Sequence, residues 1–464
     1  MGERVISKQN KPIQGKRKKE NIFSIFAKGD IFTKLSFLIM GIGNLARKQF
    51  VKGLLYLVSE IGFIYFLATT GISTLQGFIT LGVNEQGWVL DEALGIEVLS
   101  QGDNSMLCLL YGIAAMFVVA IFLIIYVSNI FSAWKVQQLV ENKEHIPGFK
   151  EEVKTLLDER FHVTLMTIPL IGLTVFTLLP LVYMILIAFT NYDKDHQPPG
   201  ALFDWVGLAN FGDMLFSAST FSKTFFPVLG WTITWAIIAT ASCYLGGIIL
   251  ALLINKNGIR FKKLWRTIFV LTMAIPQFIS LLIMRIMLND YGPINALLQN
   301  WGITDEIIQF LVNPTWARIV VLTVNFWIGV PYTMLITSGI LMNIPKELYE
   351  AAEIDGASPI KAFIKITMPY IFFVTSPYLI TQFIGNINNF NVIYFLTKGE
   401  PLATSYYFAG KTDLLVTWLY KLTVNYKDYS RASVIGIAVF VISAVFSLIA
   451  FNITSSSKNE EDFQ

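Results

Sequence analysis

Apolar runs of about twenty residues, separated by short polar or charged stretches, recur along the chain, and that is the length a helix needs to cross a bilayer core. The runs predict eight spans, near 53–72, 107–130, 165–189, 228–253, 267–288, 317–341, 370–396 and 432–453. The pattern reads as an all-α polytopic membrane protein. It divides into an N-terminal tail (1–52), two leading helices (53–133), a linker (134–163), a six-helix unit (164–455) and a short polar tail (456–464). Within the first tail, residues 31–50 read as an amphipathic segment lying along the inner membrane surface.

One polar interruption is longer than a connection between adjacent spans requires. Residues 343–369 carry patterned charge, glycine and proline. Pro345 suits a first helical turn, Glu347 and Glu350 favour a helix N-terminal half, and Gly356 can take the left-handed cap conformation. Ser358 then offers a hydroxyl N-cap ahead of Pro359, and Ile360, Phe363 and Ile366 fall on one face until Pro369 opens the next span. The stretch reads as helix, tight turn, helix, and as a docking surface for another protein.

Composition agrees with the pattern: hydrophobic residues make up 54% of the 464 and charged residues 14%, outside the range of soluble globular chains. Charge then orients the spans. Lys and Arg number twelve in 1–52, five in 134–163, five in 255–266 and three in 343–369. Residues 73–105 have none against five acids, whereas 397–431 carry five, which weakens the rule without reversing it. Both termini and the Glu350 loop are therefore expected in the cytoplasm of a bacterial cell, with the chain multi-pass in its plasma membrane. The run Lys16-Arg17-Lys18-Lys19 has no aromatic-interleaved fold behind it, so it reads as a topogenic, lipid-facing tail rather than a nucleic-acid contact. No cleavage site follows an early apolar run, and an uncleaved N-terminus is expected.

Candidate chemistry is sparse. Cys108 and Cys243 fall within apolar spans, and His145, His162 and His196 lack metal-cluster spacing, so no metal is expected. Gly410-Lys411-Thr412 lacks the upstream glycine of a phosphate loop, since Ser405 stands there; ATP hydrolysis must then belong to a separate polypeptide, and no cofactor is assigned to this chain. No nucleophile or paired-carboxylate constellation appears, which argues against an enzyme. Glu60 and Arg285 are intramembrane charges read as structural, Glu60 paired within the bundle and Arg285 snorkelling. Trp231, Trp235 and Trp327 read as belt or packing residues. The clearest polar cluster is in span seven, where Gln382, Asn386 and Asn389 share a helix face beside Asn388. Their amides both donate and accept, which suits sugar hydroxyls, although helix-to-helix bonding would use them equally well.

The run K-E-L-Y-E-A-A-E-I-D-G-A-S-P-I-K-A-F-I-K-I-T-M-P, from Lys346 to Pro369, resembles the cytoplasmic loop of binding-protein-dependent ABC importer permeases. In that family a six-span core of type I carries the loop between its fourth and fifth helices, here between spans six and seven. The resemblance implies that Glu350, Ala351, Ala352, Asp355, Gly356 and Phe363 couple the chain to an ATPase. Two spans ahead of the core resemble the larger permease of maltose/maltodextrin importers, without the extracytoplasmic domain of the enterobacterial form, since residues 190–227 are too few for one. G-N-I-N-N-F, Gly385 to Phe390, resembles the run whose asparagines line the sugar site there, implying a ligand role for Asn386 and Asn389 and a lesser one for Gln382. Gly329-Val330-Pro331-Tyr332 resembles that family's Gly-Tyr-Pro-Tyr, implying sugar contacts at Gly329 and Tyr332, with Val330 as a departure.

What the resemblance implies is a permease subunit for maltodextrin-type oligosaccharides. Its implied partners are a homologous second permease, a dimer of ATPase subunits and an extracellular sugar-binding lipoprotein. The alternative is a secondary sugar transporter driven by an ion gradient, which would need intramembrane carboxylates at its site; Glu60 is the one clear candidate.

Overall fold

The computed structural model describes residues 21–91, 95–256 and 258–453. Seven helices among these are long and apolar enough to span a bilayer: Phe50–Thr80, Ser105–Glu141, Phe161–Ile187, Thr220–Asn255, Pro314–Asn343, Pro359–Leu396 and Tyr429–Asn452. The eighth expected span, 267–288, is a broken pair, Lys262–Ala274 and Gln277–Met287, bent by 90°. Pro276 causes the break. It has no N–H to continue the ladder and drives Ile275 into an extended conformation (ψ 127°), so the second helix must start afresh.

The chain forms two compact units, one running to Tyr183 and including Pro198–Leu202, the other comprising Met184–Gln197 and Phe203 onward. In the first unit, Phe63 stacks on Phe122 with ring centroids 3.8 Å apart, and Tyr56 Oη lies 3.0 Å from Ser128 Oγ. The 31–50 segment differs from the single amphipathic stretch expected there. It is two short helices, Ile31–Leu35 and Ile42–Leu45, whose polar residues turn inward onto the last turns of Ser105–Glu141. Buried Arg47 donates to both carboxylate oxygens of Asp30 at 2.7 Å and to the carbonyls of Gly43 and Ala133. Asn129 accepts from Gly41 N–H and donates to the Ser36 carbonyl. Short broken helices leave many backbone groups unpaired, and these side chains satisfy them. Glu60 has a partner inside the first unit, a backbone group rather than a cation among the described residues: its Oε2 accepts the Met40 N–H at 2.8 Å.

An antiparallel hairpin, Gly87–Asp91 with Ile96–Ser100, departs from the all-helical expectation. Its Val89↔Val98 register puts apolar side chains on both faces, and Trp88, Leu90 and Leu99 remain exposed.

The core of the second unit gathers Phe221, Trp235, Leu415, Trp418 and Ile435, all at most 1% exposed. Trp231 and Trp235 are packing residues, as expected, and each indole also donates to a backbone carbonyl, of Thr412 and Asn386 respectively. In the 397–428 segment Asp413 is fully buried and paired with Lys421 at 2.6 Å. Burial pushes its carboxyl up, and the Lys421 ammonium opposes that shift.

Candidate functional site

Two places in the second unit bring chemistry-bearing residues together. The first is a cleft of about 730 Å³ at which two interrupted spans converge. One interruption is the Ile275–Pro276 bend. The other is in span seven, where Met368–Ile387 ends, Asn389 caps a new helix and Phe390–Leu396 follows. Irregular backbone at membrane depth persists where it lines a polar cavity, because elsewhere its unpaired groups would face hydrocarbon.

All five expected ligand residues, Gly329, Tyr332, Gln382, Asn386 and Asn389, line this cleft. At its floor Asn386 Nδ2 donates to Thr240 Oγ1 at 2.9 Å. Asn389 Nδ2 reaches Asn325 Oδ1 at 3.3 Å and Asn386 Oδ1 at 3.4 Å, while its Oδ1 accepts the Val392 N–H. Gly329 permits close packing with Thr220–Asn255, since a Cβ there would lie 2.6 Å from Cys243 Sγ. Tyr332 is 55% exposed in the lining, a residue type that offers a ring face and a hydroxyl.

Asn325, Gln277, Asn391 and Trp327 also line the cleft. Asn325 is four residues ahead of Gly329 and on the same helical face, which is the one signal the sequence offered for it. Gln277 and Asn391 sit just after the two breaks, 114 residues apart, and are joined by a hydrogen bond of 3.2 Å. Trp327, read from the sequence as a belt or packing residue, is 46% exposed and lines the cleft.

The second place is the Glu350 loop. Its first helix runs Lys346–Ile354, with Pro345 as the N-cap residue rather than inside the first turn. Gly356 takes φ +70°, and Ser358 Oγ accepts the Lys361 N–H, both as the sequence predicts. The second helix does not stop ahead of Pro369. A π-helical turn, Phe363–Thr367, joins it to the span, so that one helix runs from Pro359 to the cleft. Pro369 cannot donate to the Lys365 carbonyl, and a widened turn is how a helix absorbs a missing donor. Tyr349 Oη, 2.8 Å from Thr367 Oγ1, ties the first helix to that turn. Glu350, Ala351, Asp355 and Gly356 are exposed, Ala352 and Phe363 half-buried, and Ile354 is 86% exposed.

Gly410-Lys411-Thr412 is no phosphate cradle: the Gly410 N–H is donated to Asp413 Oδ2, and Thr412 Oγ1 donates to the Glu400 carbonyl. Among the described residues no group of three His, Cys, Asp or Glu is placed to hold a metal ion.

A sequence profile described as binding-protein-dependent transport system inner membrane component matches residues 244–456. The chain is 35% identical over 427 residues to the galactooligosaccharides transport system permease protein GanP of Bacillus subtilis (strain 168), an alignment covering 91% of this chain and 97% of that protein. It is 34% identical over 432 residues to the maltodextrin transport system permease protein MdxF of the same organism, covering 91% and 95%. Among solved structures, a chain of a bacterial alginate ABC transporter in complex with alginate pentasaccharide-bound periplasmic protein shares the fold. Its TM-score is 0.54 at 22% identity, covering 66% of this chain and 98% of that chain.

Proposed function

Because the chain belongs to the family of binding-protein-dependent transport system inner membrane components, we propose that it is the permease subunit of an ATP-driven importer of neutral oligosaccharides, of maltodextrin or galactooligosaccharide type. The observation that carries this reading is the cleft. Its polar lining is built of amides and of the hydroxyls of Tyr332, Thr272 and Ser280, without a carboxylate, at a point where two helices are interrupted. Such groups bind hydroxyls, and the cleft holds no carboxylate to carry a driving proton; with the similarity to transport-system permease proteins, an ion-gradient transporter is not favoured.

The Glu350 loop is the second element of the reading. An exposed short helix bearing Glu350, Asp355 and bare Ile354 is a surface for a protein partner, here a separate ATPase that binds and hydrolyses the nucleotide. Counted over eight spans, the loop shares a side with both termini, assigned to the cytoplasm of a bacterial cell by the positive-inside rule. A second permease would complete the pathway, and an extracellular binding protein would deliver the sugar. The chain itself supplies no catalytic residue.

The test is purification from native membranes, with assay of co-purifying chains for ATPase activity on addition of binding protein and oligosaccharide. A co-purifying ATPase and second permease, with turnover raised by sugar, is the expected result; a lone chain with ion-dependent uptake would overturn it. Gly356→Ala sharpens the test. A Cβ there meets nothing within 4 Å, so the substitution acts through the positive φ alone. It should cost about 1–2 kcal/mol at the turn and lower sugar-stimulated ATPase activity several-fold.

A further inference from the structure

The amides of the cleft differ in how far their hydrogen-bonding capacity is already spent. At the floor, Asn325, Asn386 and Asn389 bond one another, Thr240 and the Val392 N–H. Asn325 also donates from Nδ2 to Cys243 Sγ at 3.6 Å, so every amide oxygen and nitrogen of this trio has a protein partner. At the mouth the accounting is different. Gln277 and Asn391 share one bond, from Asn391 Nδ2 to Gln277 Oε1, which leaves Gln277 Nε2 and Asn391 Oδ1 without a partner among the described residues. One is a donor and the other an acceptor, held on neighbouring residues at the edge of the same cleft.

A vicinal diol needs that pair of groups: one hydroxyl donates while its neighbour accepts. A cleft of about 730 Å³ stands in the upper part of the range typical of ligand sites, about 300–1,000 Å³, and has room beyond the floor amides and Tyr332. We infer that Gln277 and Asn391, bridging the two helix breaks, form a second hydroxyl-recognising subsite, which takes the next sugar unit of an oligosaccharide whose first unit lies against Tyr332 and the floor asparagines. This rests on the oligosaccharide-importer reading. The pair then sets selectivity for chain length rather than the ability to transport at all. It also places a specificity contact on the broken fifth span, which carries none of the ligand residues implied by the sequence.

The experiment uses the full chain in native cells with its own partners. Uptake of labelled di- and tetrasaccharides from the α-1,4-glucose and β-1,4-galactose series is compared for wild type, Gln277→Leu and Asn391→Leu, with membrane levels checked by immunoblot. Each variant should lower the tetra- to disaccharide uptake ratio about tenfold, the scale of one or two hydrogen bonds to a buried ligand. The amide-retaining swaps Gln277→Asn and Asn391→Gln should restore part of it. An unchanged ratio at normal membrane levels would overturn the subsite. So would an equal fall for both lengths, since that marks the pair as a strut between helices. A wild type that imports neither series would sink the transport reading and the subsite with it, whereas wild-type uptake with an unmoved ratio sinks the subsite alone.

Discussion

Each of the two units places amides at or near membrane depth, and the two sets are used in opposite ways. In the first, Arg47 closes on Asp30 and on the Gly43 and Ala133 carbonyls, Asn129 on the backbone of Ser36 and Gly41, and Asn44 on Gln49 and Ser132, and Asn44 Oδ1 is the one side-chain atom of the set that is buried without a partner among the described residues. In the second, Gln382, Tyr332 and the Gln277–Asn391 pair keep polar atoms open to a cleft. A polar cluster in a membrane chain is thus not a site by composition. What separates glue from binding site is the fraction of donors and acceptors left over once the protein has bonded itself.

The sharpest break of that comparison is Arg47→Met. It strips Asp30 and the Gly43 and Ala133 carbonyls of a buried donor, and should destabilise the first unit by about 3 kcal/mol, read as a lowered melting temperature of the purified chain. Asn386→Leu should cost stability less, about 1–2 kcal/mol for the Thr240 and Asn389 bonds, yet, because its amide keeps a second N–H and a second lone pair, reduce oligosaccharide uptake at least about tenfold at equal membrane levels. Tyr332→Leu removes a half-exposed ring with no internal hydrogen bond to lose. Its melting temperature should stay within about 0.5 kcal/mol equivalent of wild type while uptake falls several-fold. If Asn386→Leu or Tyr332→Leu unfolded the chain, the cleft would be glue after all.

The smallest effect is in pH. Burial pushes the Asp30 carboxyl up, but the Thr33 N–H and the Arg47 guanidinium outweigh it and hold the group below its ordinary value of 3.8. A depressed carboxyl contributes stability that is complete above that ordinary value and is lost as pH falls through the lower folded one. The Asp30 contribution should therefore be lost only below about pH 3.8, and Arg47→Met should shrink that part of the acid limb in a melting series without removing it, since the Thr33 N–H bond remains.

The sequence exposed what local spacing can encode. Gln382, Asn386 and Asn389 lie on one helix and were legible as a face; Gly356 and Ser358 declared their turn and cap through residue type. Gln277 and Asn391 carried no such signal, because their meeting depends on two breaks in separate spans. Pro276 marked one break, yet a hydropathy window averages across a proline and returns a single span. Residues 31–50 misled for a related reason. Alternating polar and apolar positions fit a surface helix, and nothing local says that the polar face turns inward to serve Asn129 and the broken backbone. The hairpin at 87–100 is short and follows a span directly, and an acidic, turn-rich stretch gave no reason to look for strands there.

The π-helical turn at Phe363–Thr367 gives the loop and the cleft a common mechanical part. From Pro359 to Ile387 the helix is continuous through the π turn and Pro377, about 40 Å long at 1.5 Å per residue. It has the exposed Glu350 loop, the surface proposed for coupling, at one end and Asn386 at the other. Rotated by about 10° around its middle, such a helix carries each end through about 3–4 Å in opposite senses, enough to make or break a hydrogen bond at Asn386. Under the proposed function, thrust at one end and grip at the other would be a single degree of freedom carried along one helix, with Tyr349 as the strut at the driven end.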